Sequence, residues 1–243
     1  MRDWVCGFFM AWGMFLAIPC PRKIWSESAR QKMLVCMPLV GLLAGGVWAG
    51  AWLLLRGAPG PVRAAVCAAA PWLVTGFMHL DGYMDVCDAV LSRRDLATRQ
   101  RILKDSHCGA FAVICMVLLA MGQWSLFLAA EDVSWLGLLL IPAATRACAG
   151  LAVLGLRPMG TSQYAAMGPA RGGYGAALWV LLALSVGLPL WLDGSFGPLA
   201  AAVGYGLAVW YGFRNLDGMS GDISGFALTI GELCGCGAAI LWR

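Results

Sequence analysis

The sequence predicts an all-α fold that threads a membrane several times, and three observations carry that prediction. Of 243 residues, 60% are hydrophobic and 12% charged, against about 45–50% and about 25% in soluble domains. The apolar residues gather in blocks close to the roughly 20 residues that span a bilayer as a helix. Lysine and arginine concentrate in alternate loops, the asymmetry that orients membrane helices. A soluble globular fold, a disordered chain and a nucleic-acid-binding domain are excluded on these grounds. The net charge of +4 names no partner beyond the lipid bilayer itself.

Segment 4–18 comes first and is shorter than a normal span. It reads as an interfacial or re-entrant helix, or as a short additional crossing. The run ends at Ile18-Pro19-Cys20-Pro21 with no small-residue cleavage site, so it is read as retained rather than as a signal peptide. Seven spans follow, near 33–55, 63–80, 109–130, 134–156, 174–192, 196–213 and 219–241. Pro38, Pro71 and Pro142 lie inside them, as is common in membrane helices. Loop 19–32 carries Arg22, Lys23, Arg30 and Lys32, and loop 81–108 carries Arg93, Arg94, Arg99, Arg101 and Lys104. Loop 157–173 adds Arg157 and Arg171, and turn 214–218 adds Arg214. Seven spans put all four basic loops on one side, which the positive-inside rule makes the cytoplasm. No linker divides the chain, so 1–243 is read as one membrane-embedded catalytic domain. Most of the ten cysteines sit in apolar blocks, where they behave as small hydrophobes.

Chemistry concentrates in the carboxylates. His79-Leu80-Asp81-Gly82-Tyr83-Met84-Asp85-Val86-Cys87-Asp88 places three acids at i, i+4 and i+7, one face of a helix. Like charges so placed repel one another. A divalent cation such as Mg²⁺ relieves that repulsion and also bridges to substrate phosphates. The plainer alternative is a solvated helix start whose acids favour the N-terminal dipole. Lys104-Asp105-Ser106-His107 offers a phosphate-binding lysine, a further carboxylate that either ligates metal or pairs with Lys104, and a serine that either contacts substrate or caps the helix starting near Gly109. Asp217-Gly218-Met219-Ser220-Gly221-Asp222 opens the last span, and Glu232 lies ten residues further on. Arg146 is mid-span and needs either a phosphate or an acid such as Glu232. The roles predicted are catalysis and metal binding for Asp81, Asp85, Asp88 and Asp222. Substrate binding is predicted for His79, Lys104, Asp105, Ser106, Arg146, Arg214 and Glu232. The chemistry these parts suggest is metal-assisted phosphoryl transfer from a diphosphate to an alcohol.

These residues resemble the cobalamin synthase family, the adenosylcobinamide-GDP ribazoletransferases. The resemblance rests on His79-Leu80-Asp81-Gly82-Tyr83-Met84-Asp85-Val86-Cys87-Asp88, on Lys104-Asp105-Ser106-His107-Cys108-Gly109-Ala110-Phe111 and on Gly218-Met219-Ser220-Gly221-Asp222-Ile223-Ser224-Gly225. Ile18-Pro19-Cys20-Pro21 and Pro38-Leu39-Val40-Gly41 extend it towards the N-terminus. It implies a multi-pass enzyme of the bacterial inner membrane with its site facing the cytoplasm. Its substrates would be adenosylcobinamide-GDP and α-ribazole or α-ribazole 5′-phosphate. Its products would be adenosylcobalamin, or the 5′-phosphate, and GMP, with Mg²⁺ as cofactor. The chain departs from the family pattern at Leu16-Ala17, where the family usually has Thr-Arg, and at Pro158–Tyr164, where an arginine is absent. Arg157 and Arg171 are the nearby cations that would replace the missing ones. Phe226 stands where the family has a small residue.

Two functional rivals remain at this level, beside the plainer option of a non-catalytic membrane subunit. A phosphotransferase acting on CDP-linked alcohols would use similar chemistry, but Met84 and Asp85 occupy the places of its usual Ala-Arg. An ion-coupled transporter would use Asp222, Glu232 and Arg146 as a relay, yet most of the acids cluster at one boundary and no internal repeat is visible. The sequence leaves the oligomeric state open, with a homo-oligomer among the options.

Overall fold

Ten α-helices build the described part of the chain, and no β-strand is found there. The computed structural model describes residues 2–160, 162, 164 and 172–242. The helices are α1 (Arg2–Phe15), α2 (Arg30–Leu54), α3 (Gly60–Val74), α4 (Met78–Leu91), α5 (Leu96–Ile102), α6 (Ala110–Ala129), α7 (Trp135–Gly155), α8 (Tyr174–Asp193), α9 (Gly197–Leu216) and α10 (Gly221–Leu241). Five are long and apolar enough to cross a membrane: α2 with the turn before it, α6, α7, α8 and α10. The molecule is therefore a helical membrane protein. Seven straight spans are not reached. The span expected over 63–80 is broken, and α3 and α4 meet at 91°. The span expected over 196–213 is α9, which is as long as α6 and α8 but less apolar.

The break has a local cause. Gly76 takes a positive φ of 60°, its amide donates to Leu73 O, and the Phe77 amide donates to Trp72 O. This is a glycine-terminated C-cap, in which the left-handed residue turns the chain out of the helix. Thr75 Oγ1 donates to Pro71 O at 2.9 Å, which occupies a further carbonyl of the last turn. Pro71 has no N–H to offer the carbonyl four residues back. That carbonyl, Cys67 O, accepts instead from the buried Trp48 Nε1 at 2.8 Å.

Packing at the centre depends on close backbone approach. At Gly41 and Gly45 of α2 a Cβ would lie 2.5 Å from Pro142 O and 2.0 Å from Leu139 O of α7. Only glycine allows α2 and α7 to touch there, the small-residue device of membrane helix pairs. Arg146 of α7 donates through NH1 to Glu232 Oε1 of α10 at 2.6 Å, with both side chains buried. The short α1 lies against α2, its Asp3 paired with Lys32 at 2.6 Å. All ten cysteines are free.

Candidate active site

A cavity of about 430 Å³ opens where the first turns of α2, α4 and α10 come together. Arg30 and Met33 of α2, His79 and Asp81 of α4, and Ser220 and Asp222 at the start of α10 line it. Lys104, Tyr164 and the C-terminal end of α1 complete the wall. Three helix N-termini at one cavity place partial positive charge where an anion would sit.

Two glycines bring the acidic helices together. A Cβ on Gly82 would lie 2.8 Å from Asp222 O, and one on Gly225 would lie 3.0 Å from His79 O. Thr229 Oγ1 donates to that same His79 carbonyl at 3.2 Å. Tyr83 stacks on Phe226 with ring centroids 5.7 Å apart. The bulky residue at 226 is thus a packing element of the α4–α10 contact. Asp81 and Asp222 consequently share one cavity although they are far apart in sequence. Asp81, Asp222 and Asp88 all stand close enough to Asp85 for their charges to act on it.

The four acids do not converge on a single point. Seven residues of α-helix rise by about 10.5 Å, which sets Asp81 and Asp88 two turns apart. Asp88 turns to α6, where its Oδ1 accepts from the Ala112 amide at 3.3 Å. Gly109 must be a glycine there, because a Cβ would fall on the Asp88 carboxylate. Asp85 does not line the cavity. Among the described residues no three His, Cys, Asp or Glu side chains form a ready-made metal cage. What Asp81 and Asp222 can hold is a hard cation with open positions. Mg²⁺ is bound in this way, by one or two carboxylates with water and substrate phosphate completing the shell.

The remaining predicted residues separate into two groups. His79 and Lys104 line the cavity, and His79 is buried with Nε2 lacking a partner among the described residues. Arg146 and Glu232 do not line it; each is the other's partner. Arg214 lies over the Trp210 ring at 5.4 Å, away from the cavity. Asp105 is engaged by His107, whose Nδ1 lies 2.7 Å from Oδ1 and whose amide donates to the same oxygen. These bonds hold the Asp105 carboxyl below its ordinary range. Ser106 caps nothing: the N-cap of α6 is Gly109, and Asp88 supplies the bond to the first turn. Arg157 is tied to Asp217, and Arg171 lies outside the described residues. Arg30 was not foreseen as a ligand. It belongs to a basic loop and so reads as a topology signal, yet its side chain forms part of the cavity wall.

The fold and the cavity together define a class, that of multi-helix membrane enzymes with an acidic pocket rimmed by cations. Comparison supplies the family. Residues 7–240 match the model of the cobalamin-5-phosphate synthase family, and the chain belongs to that family. An adenosylcobinamide-GDP ribazoletransferase of Clostridium botulinum (strain Alaska E43 / Type E3) is 32% identical over 257 aligned positions, covering all of both chains. The enzyme of the same name from Clostridium perfringens (strain 13 / Type A) is 32% identical, covering 93% of this chain and 94% of its own. That of Ralstonia pickettii (strain 12J) is 32% identical, covering all of this chain and 96% of its own. No solved structure matches.

Proposed function

We propose that the protein joins adenosylcobinamide-GDP to α-ribazole or α-ribazole 5′-phosphate, releasing GMP. The observation that carries this reading is that Asp81 and Asp222 line the same cavity as Arg30 and Lys104. Carboxylates able to hold Mg²⁺ and cations able to hold phosphate oxygens are what transfer from a diphosphate requires. A bound Mg²⁺ would supply charge neutralisation on the phosphates. Lys104 and Arg30 hold the diphosphate oxygens. A ribose hydroxyl oxygen of the acceptor bonds to the phosphorus next to the cobinamide, and the bond from that phosphorus to the GMP oxygen breaks. The hydroxyl proton passes to a carboxylate within reach, Asp81 or Asp222. The excess of Lys and Arg in the loops that supply Arg30 and Lys104 to the cavity favours a site facing the cytoplasm of the bacterial inner membrane.

The test is a liposome assay with both substrates, with and without Mg²⁺, that follows GMP and cobamide by chromatography. Product is expected only with Mg²⁺, and its rate should fall by about 100-fold or more in Asp81→Asn and in Asp222→Asn. Undiminished turnover in either variant, or turnover indifferent to chelators, refutes the proposal.

A further inference from the structure

We propose that a second, apolar trough beside the acidic cavity seats the corrin macrocycle of the donor; this rests on the transferase reading above. The cavity of about 430 Å³ is of a size that encloses one drug-sized molecule. A corrin ring carrying both an adenosyl group and GDP is several times larger. Adjoining the cavity is a trough of about 550 Å³. Met14 and Trp25 line both spaces and form their common wall. Phe9, Met10, Leu16, Ile18, Pro19 and Ile24 give the trough its apolar faces, and Lys23 is the only charged side chain on it.

The trough is a built feature. Trp25 Nε1 donates to Glu27 Oε1 at 2.7 Å, and Glu27 also pairs with Arg30 at 3.2 Å. The Arg30 guanidinium lies 5.8 Å from the Trp25 ring centroid, so the dividing wall is held in place from the cavity side. Across the trough, Trp12 Nε1 donates to Ile18 O at 3.0 Å, and the Ala17 amide donates to Val74 O at 2.9 Å. The two spaces differ in chemistry. The cavity offers carboxylates and cations, which suit phosphates and a metal. The trough offers apolar surface and a single ammonium group, which suits a broad flat ring fringed with amide carbonyls. A donor lying across Trp25 would place its ring in the trough and its diphosphate at Arg30 and Lys104.

The probe is cobinamide, the macrocycle without its nucleotide, and its visible absorbance reports binding to the full-length protein in nanodiscs. A Cβ on Gly13 would meet Cys20 Cβ at 3.7 Å, an ordinary contact. Gly13→Ala therefore fits, whereas Gly13→Leu intrudes on the trough. Gly13→Leu and Trp25→Ala should each weaken cobinamide binding about tenfold or more, and Gly13→Ala by less than about threefold. The same two variants should raise KM for the donor and leave KM for the acceptor unchanged. Cobinamide affinity unmoved in both variants overturns the assignment, as it would if lipid filled the trough. GMP release by the wild type is read separately. Its absence refutes the transferase reading, and cobinamide binding still decides the trough.

Discussion

Single side chains in this protein are divided between holding the fold and facing the cavity, and the Arg146–Glu232 pair belongs to the first task. Both are buried, and removing one partner leaves an unpaired charge worth about 3–5 kcal/mol. Glu232→Ala should therefore lower thermal stability sharply in detergent. The double variant Arg146→Met with Glu232→Leu should recover most of the loss, since apolar replacement of a buried pair is often neutral. Turnover of the double variant decides between the two roles. Near-normal turnover fits a structural pair, and a stable but inactive double variant would assign the pair to substrate after all. The sequence already offered this pairing as one of two readings, because a lone mid-span cation must find a partner. Arg30 was hidden for the opposite reason. A cation in a basic loop satisfies the orientation rule so well that nothing local points to a second use. Helical spacing puts Asp88 on a shared face with Asp81 and Asp85 but says nothing about the neighbouring helix which that face meets, here α6.

Among the elements, the crossing of α4 and α10 is what assembles the site. It depends on Gly82, whose added Cβ would press on the Asp222 backbone at 2.8–3.0 Å. Backbone atoms cannot swing aside as a side-chain tip can, so Gly82→Ala should cost about 1–3 kcal/mol and separate Asp81 from Asp222. Gly122 of α6 is the control, with nothing within 4 Å of its added Cβ. Gly122→Ala should be neutral or stabilising by up to about 1 kcal/mol. Melting curves and GMP release check both, and a Gly82→Ala protein with full activity would show that the crossing tolerates a wider gap. Helices such as α6, α7 and α8 are legible in the sequence because an apolar run of sufficient length has no cheaper structure in lipid. The elbow at residues 75–77 is half legible: Gly76 is the usual C-cap residue and the one glycine in the span expected over 63–80, but a glycine inside an apolar run is common in unbroken membrane helices too. The support from Ala17 and Val74 is long-range and cannot be read from a local pattern.

At the scale of the whole molecule, the basic connections define an orientation that a natural cysteine can report. Cys108 is exposed and follows Lys104 in the connection between α5 and α6. A membrane-impermeant maleimide should label it in inverted inner-membrane vesicles and not in intact spheroplasts, with Cys108→Ser identifying the signal. Labelling from the periplasmic side would reverse the proposed topology. The distribution of charge is what supports the proposed orientation, and it needs no structure, whereas the number of crossings cannot be read in the same way, because α3 and α4 bend and α9 is only moderately apolar. The α4–α10 contact also bears on how the protein is made. Gly225 follows Gly82 by 225 − 82 = 143 positions, so at about 5–20 residues per second the ribosome delivers the second half of the contact about 7–30 s after the first. During that interval the acidic helix can pack on α6, through Asp88 and Tyr83, but it lacks α10, and a chain interrupted before its last helix never acquires that contact. Biogenesis therefore makes the proposed site the final part of this protein to come into being, so that a product truncated before α10 should be inert.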